Sequence, residues 1–257
     1  MQHKEKSSAI KIVRNAILIV LAAVVLLSAV IVEMCLFVSR PAVQTVAAYQ
    51  QKFSDVIINM QDDGGVEILP NDGVTSKNTG IIFYVGAQIT PDAYISLLSR
   101  LSEQGYSCFI PNLSFNTALL ESKAAEVIIT DHPEISSWYI AGHSLGGLVA
   151  ADFADENPDK IDGLIMLAAY SNRDMSESEL PMLSIYGDTD GVMNKGLYTK
   201  RLVWSSKNFE EHIIAGANHA QYGDYGRQPR DNDALISAES QQKQTADIIL
   251  EWLREKQ

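Results

Sequence analysis

The run Gly142-His143-Ser144-Leu145-Gly146-Gly147, set between the strand-like WYIA and the helix-like LVAADFADE, constrains this chain more than any other feature. It fits the pattern G-x-S-x-G. A strand that turns straight into a helix forces the serine between them into a strained backbone conformation, and side chains two positions away would clash there, hence the glycines. Such a turn lifts the Ser144 hydroxyl clear of the sheet and aims the first amides of the helix at the same point. The Leu145 N–H is thereby placed to bind a developing oxyanion. The bland alternative, a glycine-rich turn with an N-capping serine, does not account for motif, strand and helix coinciding. A serine alone is a weak nucleophile, so the chemistry needs a base and an acid further along the chain.

Both follow, in the order Ser, Asp, His. The strand MLSIY leads into Gly187-Asp188-Thr189-Asp190-Gly191, and Asp190, three residues after the strand-ending glycine, is the expected acid, with Asp188 the alternative. Only His212 and His219 come later. His212 lies inside the strand FEEHIIAG, whereas His219 follows it in Gly216-Ala217-Asn218-His219 and is the expected base. The second oxyanion donor is expected from the loop after the first central strand, Tyr84-Val85-Gly86-Ala87-Gln88, at the Ala87 amide with Gln88 close behind. In this arrangement His219 takes the Ser144 proton as it attacks an acyl carbonyl, Asp190 orients the imidazole, and water later releases the acyl group.

The rest of the pattern gives the fold class. Strand-like runs fall at 56–60, 66–69, 81–85, 106–111, 138–141, 161–169, 182–186 and 209–214, and the last six are separated by helix-like stretches at 91–104, 117–130, 145–156 and 194–205; a further one covers 240–256. Near-continuous apolar strands alternating with amphipathic helices predict an α/β protein whose mostly parallel sheet carries helices on both faces. Asp62-Asp63-Gly64-Gly65 marks a hairpin at one edge.

Composition narrows the partners. With 32 Asp and Glu against 20 Lys and Arg, the net charge of −12 repels a phosphate backbone and argues against nucleic acid. The two cysteines, Cys35 and Cys108, make no disulfide framework. From Ala16 to Val38 run 23 residues broken only by Ser28 and Glu33, enough for a bilayer that needs roughly 20. Lys4, Lys6, Lys11 and Arg14 precede the run, and only Arg40 and Lys52 follow closely, which sets the N-terminus in the cytoplasm and the remainder outside it. A signal-peptide core is usually ~7 to 15 residues with a small-residue cleavage site behind it, and neither applies here. The expected organisation is a basic cytoplasmic segment over 1–15, a transmembrane anchor over 16–38, a juxtamembrane connector over 39–54 and a catalytic domain over 55–257.

From about Val66 onward the chain resembles the α/β-hydrolase superfamily, and within it a small bacterial branch related to dienelactone-hydrolase-like proteins. The resemblance is carried by FYVGAQITPDAY, SWYIAGHSLGG, GLIMLAAYS, LSIYGDTDG and AGANHAQYGDYGRQPRDNDALIS. It implies the α/β-hydrolase fold with Ser144, Asp190 and His219 as catalytic triad, and no metal or organic cofactor. Two departures bear on substrate. Only Ser171 to Leu180 separates the strands on which many members insert a lid, so no cap domain is expected, and Ser144 stands where dienelactone hydrolases carry a cysteine. An uncapped site suits a small or externally presented ester.

After His219, Gln221 and Tyr222 are candidate substrate contacts together with Gln88, while Arg227 and Arg230 either face an anionic group or pair with Asp224, Asp231 and Asp233 on the surface. The expectation is a membrane-anchored serine hydrolase of carboxylesterase type acting on a small-molecule ester. The competing readings are a catalytically silent scaffold for binding at the cell surface, and a peptidase or acyltransferase using the same triad.

Overall fold

Every side chain of β3 (Thr79–Tyr84) is buried, and successive residues serve opposite sides of the sheet. Ile81 and Phe83 join one hydrophobic cluster, Ile82 and Tyr84 another, as the two-residue period of a strand dictates. The computed structural model describes residues 14, 15, 18, 20, 21, 24, 25 and 28, then 40–112 and 124–256. The chain divides into two units, Met1–Val38 and Ser39–Gln257.

In the second unit β1 (Val56–Met60), β2 (Val66–Pro70), β3, β4 (Ser107–Ile110), β5 (Ser137–His143), β6 (Gly163–Leu167), β7 (Met182–Gly187) and β8 (Phe209–Ile214) form one sheet in the order β1-β2-β4-β3-β5-β6-β7-β8. The pairs from β4 through β8 are parallel. At the other edge β2 runs antiparallel to both β1 and β4. The expected hairpin joins β1 to β2: Gly64 takes φ +88°, open to glycine at no steric cost, and Asp63 Oδ1 accepts the Gly65 N–H at 2.8 Å.

Helices cover both faces. On one, α1 (Val46–Lys52), α2 (Ile95–Ser102) and α6 (Ala238–Lys256) bury Tyr49, Leu97, Leu98, Leu101, Ile249, Trp252 and Leu253 against the sheet. On the other, α3 (Ala124–Asp131) and α4 (Leu145–Glu156) bury Ala125, Val149, Phe153 and Ala154. Each large apolar side chain so buried contributes about 1.5–3 kcal/mol relative to leaving it in water. The remaining helix, α5 (Lys195–Arg201), follows β7.

Three expectations are refined. The helix expected from Pro91 opens as a short 3-10 turn, Pro91–Tyr94, before α2 begins. The helix expected over 117–130 is described only from Ala124, since 113–123 lie outside the described residues. The stretch 39–54, expected as a connector, is built into the same core as the sheet: Thr45 caps α1 through the Ala48 N–H, and Tyr49 and Phe53 are buried.

Most of the expected anchor, 16–38, lies outside the described residues; its described positions are helical with exposed side chains. Among the described residues no helix is long and apolar enough to cross a membrane. Between β6 and β7, residues 168–181 form only bends and turns, held to α4 by Arg173, which bonds Asp152 at 2.7 Å and Glu156 at 3.0 Å. No inserted cap stands over the sheet there.

Candidate active site

The loops that leave β3, β5, β7 and β8 open at the carboxyl edge of the parallel strands, where open α/β sheets place their ligands. Ser144 stands between β5 and α4 with φ 54° and ψ −119°, a conformation that costs a non-glycine residue about 1–3 kcal/mol. Close approach of the flanking backbone holds it there. A Cβ on Gly142 would lie 2.3 Å from the Gly146 carbonyl oxygen, and one on Gly146 would lie 2.1 Å from that of Tyr84. The Ser144 amide donates to the Leu167 carbonyl on the neighbouring strand at 2.9 Å. As the first residue of α4, Leu145 carries an N–H with no acceptor inside the helix.

Asp190 and His219 meet on the loops after β7 and β8. Asp190 Oδ2 accepts from His219 Nδ1 at 2.8 Å, and both side chains are buried. The other carboxylate oxygen accepts the amides of Val192 and Met193, each at 2.8 Å. Burial alone would raise the Asp190 carboxyl; the His219 bond and charge and those two amides outweigh it and hold the group below the usual carboxylate range. Asp188 is engaged elsewhere, accepting the Gly216 N–H at 2.7 Å. His212 pairs with Glu210 at 2.7 Å on β8.

His219 is fixed through its backbone as well. Asp231 accepts its amide at 3.3 Å and that of Ala220 at 2.8 Å, and Gln241 of α6 brackets Asn218. With Nδ1–H committed to Asp190, the lone pair of a neutral imidazole is on Nε2, and that atom is buried without a hydrogen-bond partner. The structure thus joins Asp190 to His219 but does not join Ser144 to His219 by a hydrogen bond. Ser144 is next in sequence to His143, whose ring lies 4.7 Å from that of His219.

In the loop after β3 the amides of Gly86, Ile89 and Thr90 are taken by Tyr94 Oη, Gly86 O and Arg40 O. The amides left for a ligand are those of Ala87, which is exposed, and Gln88, which adopts φ +62°. Gln221 has a buried, unpartnered Oε1, and its amide bonds Asn218 Oδ1 at 3.1 Å. Tyr222 is fully buried with its ring 5.4 Å from that of His143, and its hydroxyl has no hydrogen-bond partner among the described residues. Among the described residues no group of His, Cys, Asp or Glu is arranged to hold a metal ion.

One participant was not singled out by the motif reading. Tyr94 accepts the Gly86 N–H at 3.1 Å and lies 2.8 Å from His143 Nδ1. A buried hydroxyl needs an acceptor, so its proton goes to that nitrogen. Burial holds the His143 imidazole well below its ordinary pKa, and the nearby His219 lowers it further, so the ring is neutral. Tyr94 therefore ties the loop after β3 to the residue before Ser144. Its only signal in the sequence was its place in FYVGAQITPDAY.

The alpha/beta hydrolase family profile matches residues 80–243. No curated protein matches the chain significantly. Among solved structures, an alpha/beta hydrolase enzyme from the metagenome of Mar Chica lagoon sediments in Morocco is 13% identical with a TM-score of 0.57, covering 78% of this chain and 99% of its own. A predicted CIB-like hydrolase from Thermoplasma acidophilum is 15% identical at 0.55, covering 76% and 98%. Est1E from Butyrivibrio proteoclasticus is 16% identical at 0.53, covering 78% and 99%. At such identities the likeness establishes the fold.

Proposed function

This chain belongs to the alpha/beta hydrolase family, and on that premise we propose that it is a serine hydrolase that cleaves a carboxylic ester through an acyl-enzyme. The reading is carried by the buried Asp190–His219 pair, which leaves Nε2 unpartnered, together with the strained turn of Ser144, next in sequence to His143, whose ring lies 4.7 Å from that of His219. His219 accepts the Ser144 proton during attack, Asp190 holds the tautomer and stabilises the imidazolium, and the amides of Leu145 and Ala87 receive the oxyanion. His219 then returns the proton to the leaving alcohol and activates the water that frees the acid.

Within the family we place the chain nearest the dienelactone-hydrolase-like branch, on the long segment that follows His219. We further propose that residues 16–38 anchor it in a membrane with the catalytic unit outside the cytoplasm, on the strength of the apolar run and the basic residues before it. Labelling of the full chain in detergent with a fluorophosphonate probe tests the central claim. Wild type labels, Ser144→Ala does not, and His219→Ala labels weakly; a folded wild type that fails to label overturns it.

A further inference from the structure

One buried imidazole touches three parts of the candidate machinery. His143 has no exposed surface and is joined through a single peptide bond to Ser144. Its ring packs on that of His219, with centroids 4.7 Å apart and planes tilted by 47°. Its Nδ1 accepts the Tyr94 hydroxyl proton at 2.8 Å, and the same hydroxyl oxygen accepts the N–H of Gly86, one residue before the candidate oxyanion amide of Ala87. A Cβ on Gly86 would lie 3.1 Å from both His143 Nδ1 and Tyr94 Oη, so the loop after β3 closes directly onto this pair.

The Asp190 bond holds His219 at one ring atom, and Asp231 holds its backbone amide. A single bond at Nδ1 leaves an imidazole free to tilt about that bond, and the tilt carries Nε2 with it. A ring packed against it restricts the tilt. An apolar side chain would fill the same space, whereas an imidazole buried there needs a polar partner and has one in Tyr94. Two imidazoles in contact do not both take a proton cheaply. Burial disfavours the His143 cation, and the Tyr94 proton occupies its Nδ1, which leaves His219 as the ring that charges.

Resting on the serine-hydrolase reading, we propose that His143 is a positioning residue: it holds the His219 imidazole in the orientation from which Nε2 takes the Ser144 proton, and through Tyr94 it ties that orientation to the loop carrying the Ala87 amide.

The test uses the full chain in detergent with para-nitrophenyl butyrate, and active sites are counted by the end point of fluorophosphonate labelling, so that folded fraction does not enter kcat. His143→Phe keeps a ring against His219 and drops the acceptor for Tyr94; His143→Gln keeps an acceptor and drops the ring. Per active site, kcat falls about 10-fold in His143→Phe and about 100-fold in His143→Gln, with KM within about 3-fold of wild type in both. Tyr94→Phe cuts the same bond as His143→Phe, so the double variant loses no more kcat than either single one. A kcat within about twofold of wild type in His143→Gln confines the residue to packing and overturns the proposal. Losses as large in His143→Phe as in His143→Gln overturn the holding of His219 by a ring, and losses that multiply in the double variant overturn the tie to the loop. If His143→Gln does not fold, the double-variant comparison decides. Failure of wild type both to label and to turn over the ester overturns the hydrolase reading and this inference with it.

Discussion

Gln241 closes on the backbone of Asn218 from both sides: its Oε1 accepts the Asn218 N–H at 3.0 Å and its Nε2 donates to the Asn218 carbonyl at 2.8 Å. Both bonds are buried, and Asn218 directly precedes His219. A helix at the far end of the chain thus sets the position of the candidate base.

Removing that clamp strands a buried amide and a buried carbonyl, each worth about 1–3 kcal/mol when left unsatisfied. Gln241→Leu is expected to lower stability by about 2–4 kcal/mol, read as a fall in Tm of several degrees. Gln241→Glu keeps the acceptor but turns the donor into a second acceptor facing the Asn218 carbonyl. Both variants reduce ester turnover beyond what their folded fraction accounts for.

The Asp190–His219 contact has its own signature. Asp190→Asn keeps the volume but takes the wrong partner on Nδ1, and turnover is expected to fall on the order of 10³–10⁴-fold. The Asp190 carboxyl is held below its ordinary value, so its stabilisation is fully present above about pH 3.9 and is lost as pH falls through the depressed native value. Acid unfolding between pH 5 and 2 is therefore steeper in wild type than in Asp190→Asn. Equal slopes would remove the ionised pair from the account.

What the sequence displayed and what it concealed divide along the range of the interactions. Helix α4 has the bounds read from the sequence because it buries an apolar face, Val149, Phe153 and Ala154, whatever its distant partners are; β8 keeps its read bounds too, although only Ile214 of its residues is buried. Asp190 and His219 each lie on a loop after a strand, so their order could be read before their contact was seen. Tyr94 and His143 are 49 residues apart, and only the parallel pairing of β3 with β5 brings them together. Nothing local marks Tyr49 as a core residue, since its hydroxyl partner, Asp224, is 175 residues away.

His143 supplies a second pH dependence, distinct in its window. Its imidazole is neutral in the folded chain, while the unfolded chain gains a proton near pH 6.5. Stability is fully present above that value and is lost as pH falls toward the depressed native pKa, with a slope of up to about 1.4 kcal/mol per pH unit. Urea unfolding at pH 7 and 5.5 reads the slope, and His143→Gln is expected to flatten it whatever the variant does to absolute stability. A slope unchanged in His143→Gln would assign the titration to another group.

Tyr94→Phe deletes one hydroxyl and leaves both the Gly86 amide and the His143 Nδ1 without their partner. The expected loss is about 1–3 kcal/mol in stability. Because Gly86 adjoins the candidate oxyanion amide of Ala87, kcat falls while KM changes little. A stability loss with kcat untouched would confine Tyr94 to packing.

The segment 40–53 gives the most direct test of where the catalytic unit begins. Three of its residues tie it to the two loops beside the candidate site: Arg40 to Gln88 and Thr90, Val43 N to the Asp224 carbonyl at 2.7 Å, and Tyr49 to the Asp224 side chain. Asp224 in turn donates its amide to the Ala93 carbonyl at 2.7 Å, so this segment, the stretch after β3 and the stretch after His219 are locked together. Tyr49 and Phe53 fill the core beneath them, and deleting two such aromatic side chains costs about 3–5 kcal/mol each. A chain starting at residue 39 is expected to keep fluorophosphonate labelling and a cooperative melt, whereas one starting at residue 54 loses both. Tyr49→Phe separates packing from the hydrogen bond, since it keeps the ring in the core and frees only Asp224. Its expected effect is a modest drop in Tm with a larger loss of turnover, because the freed loop leads back to His219.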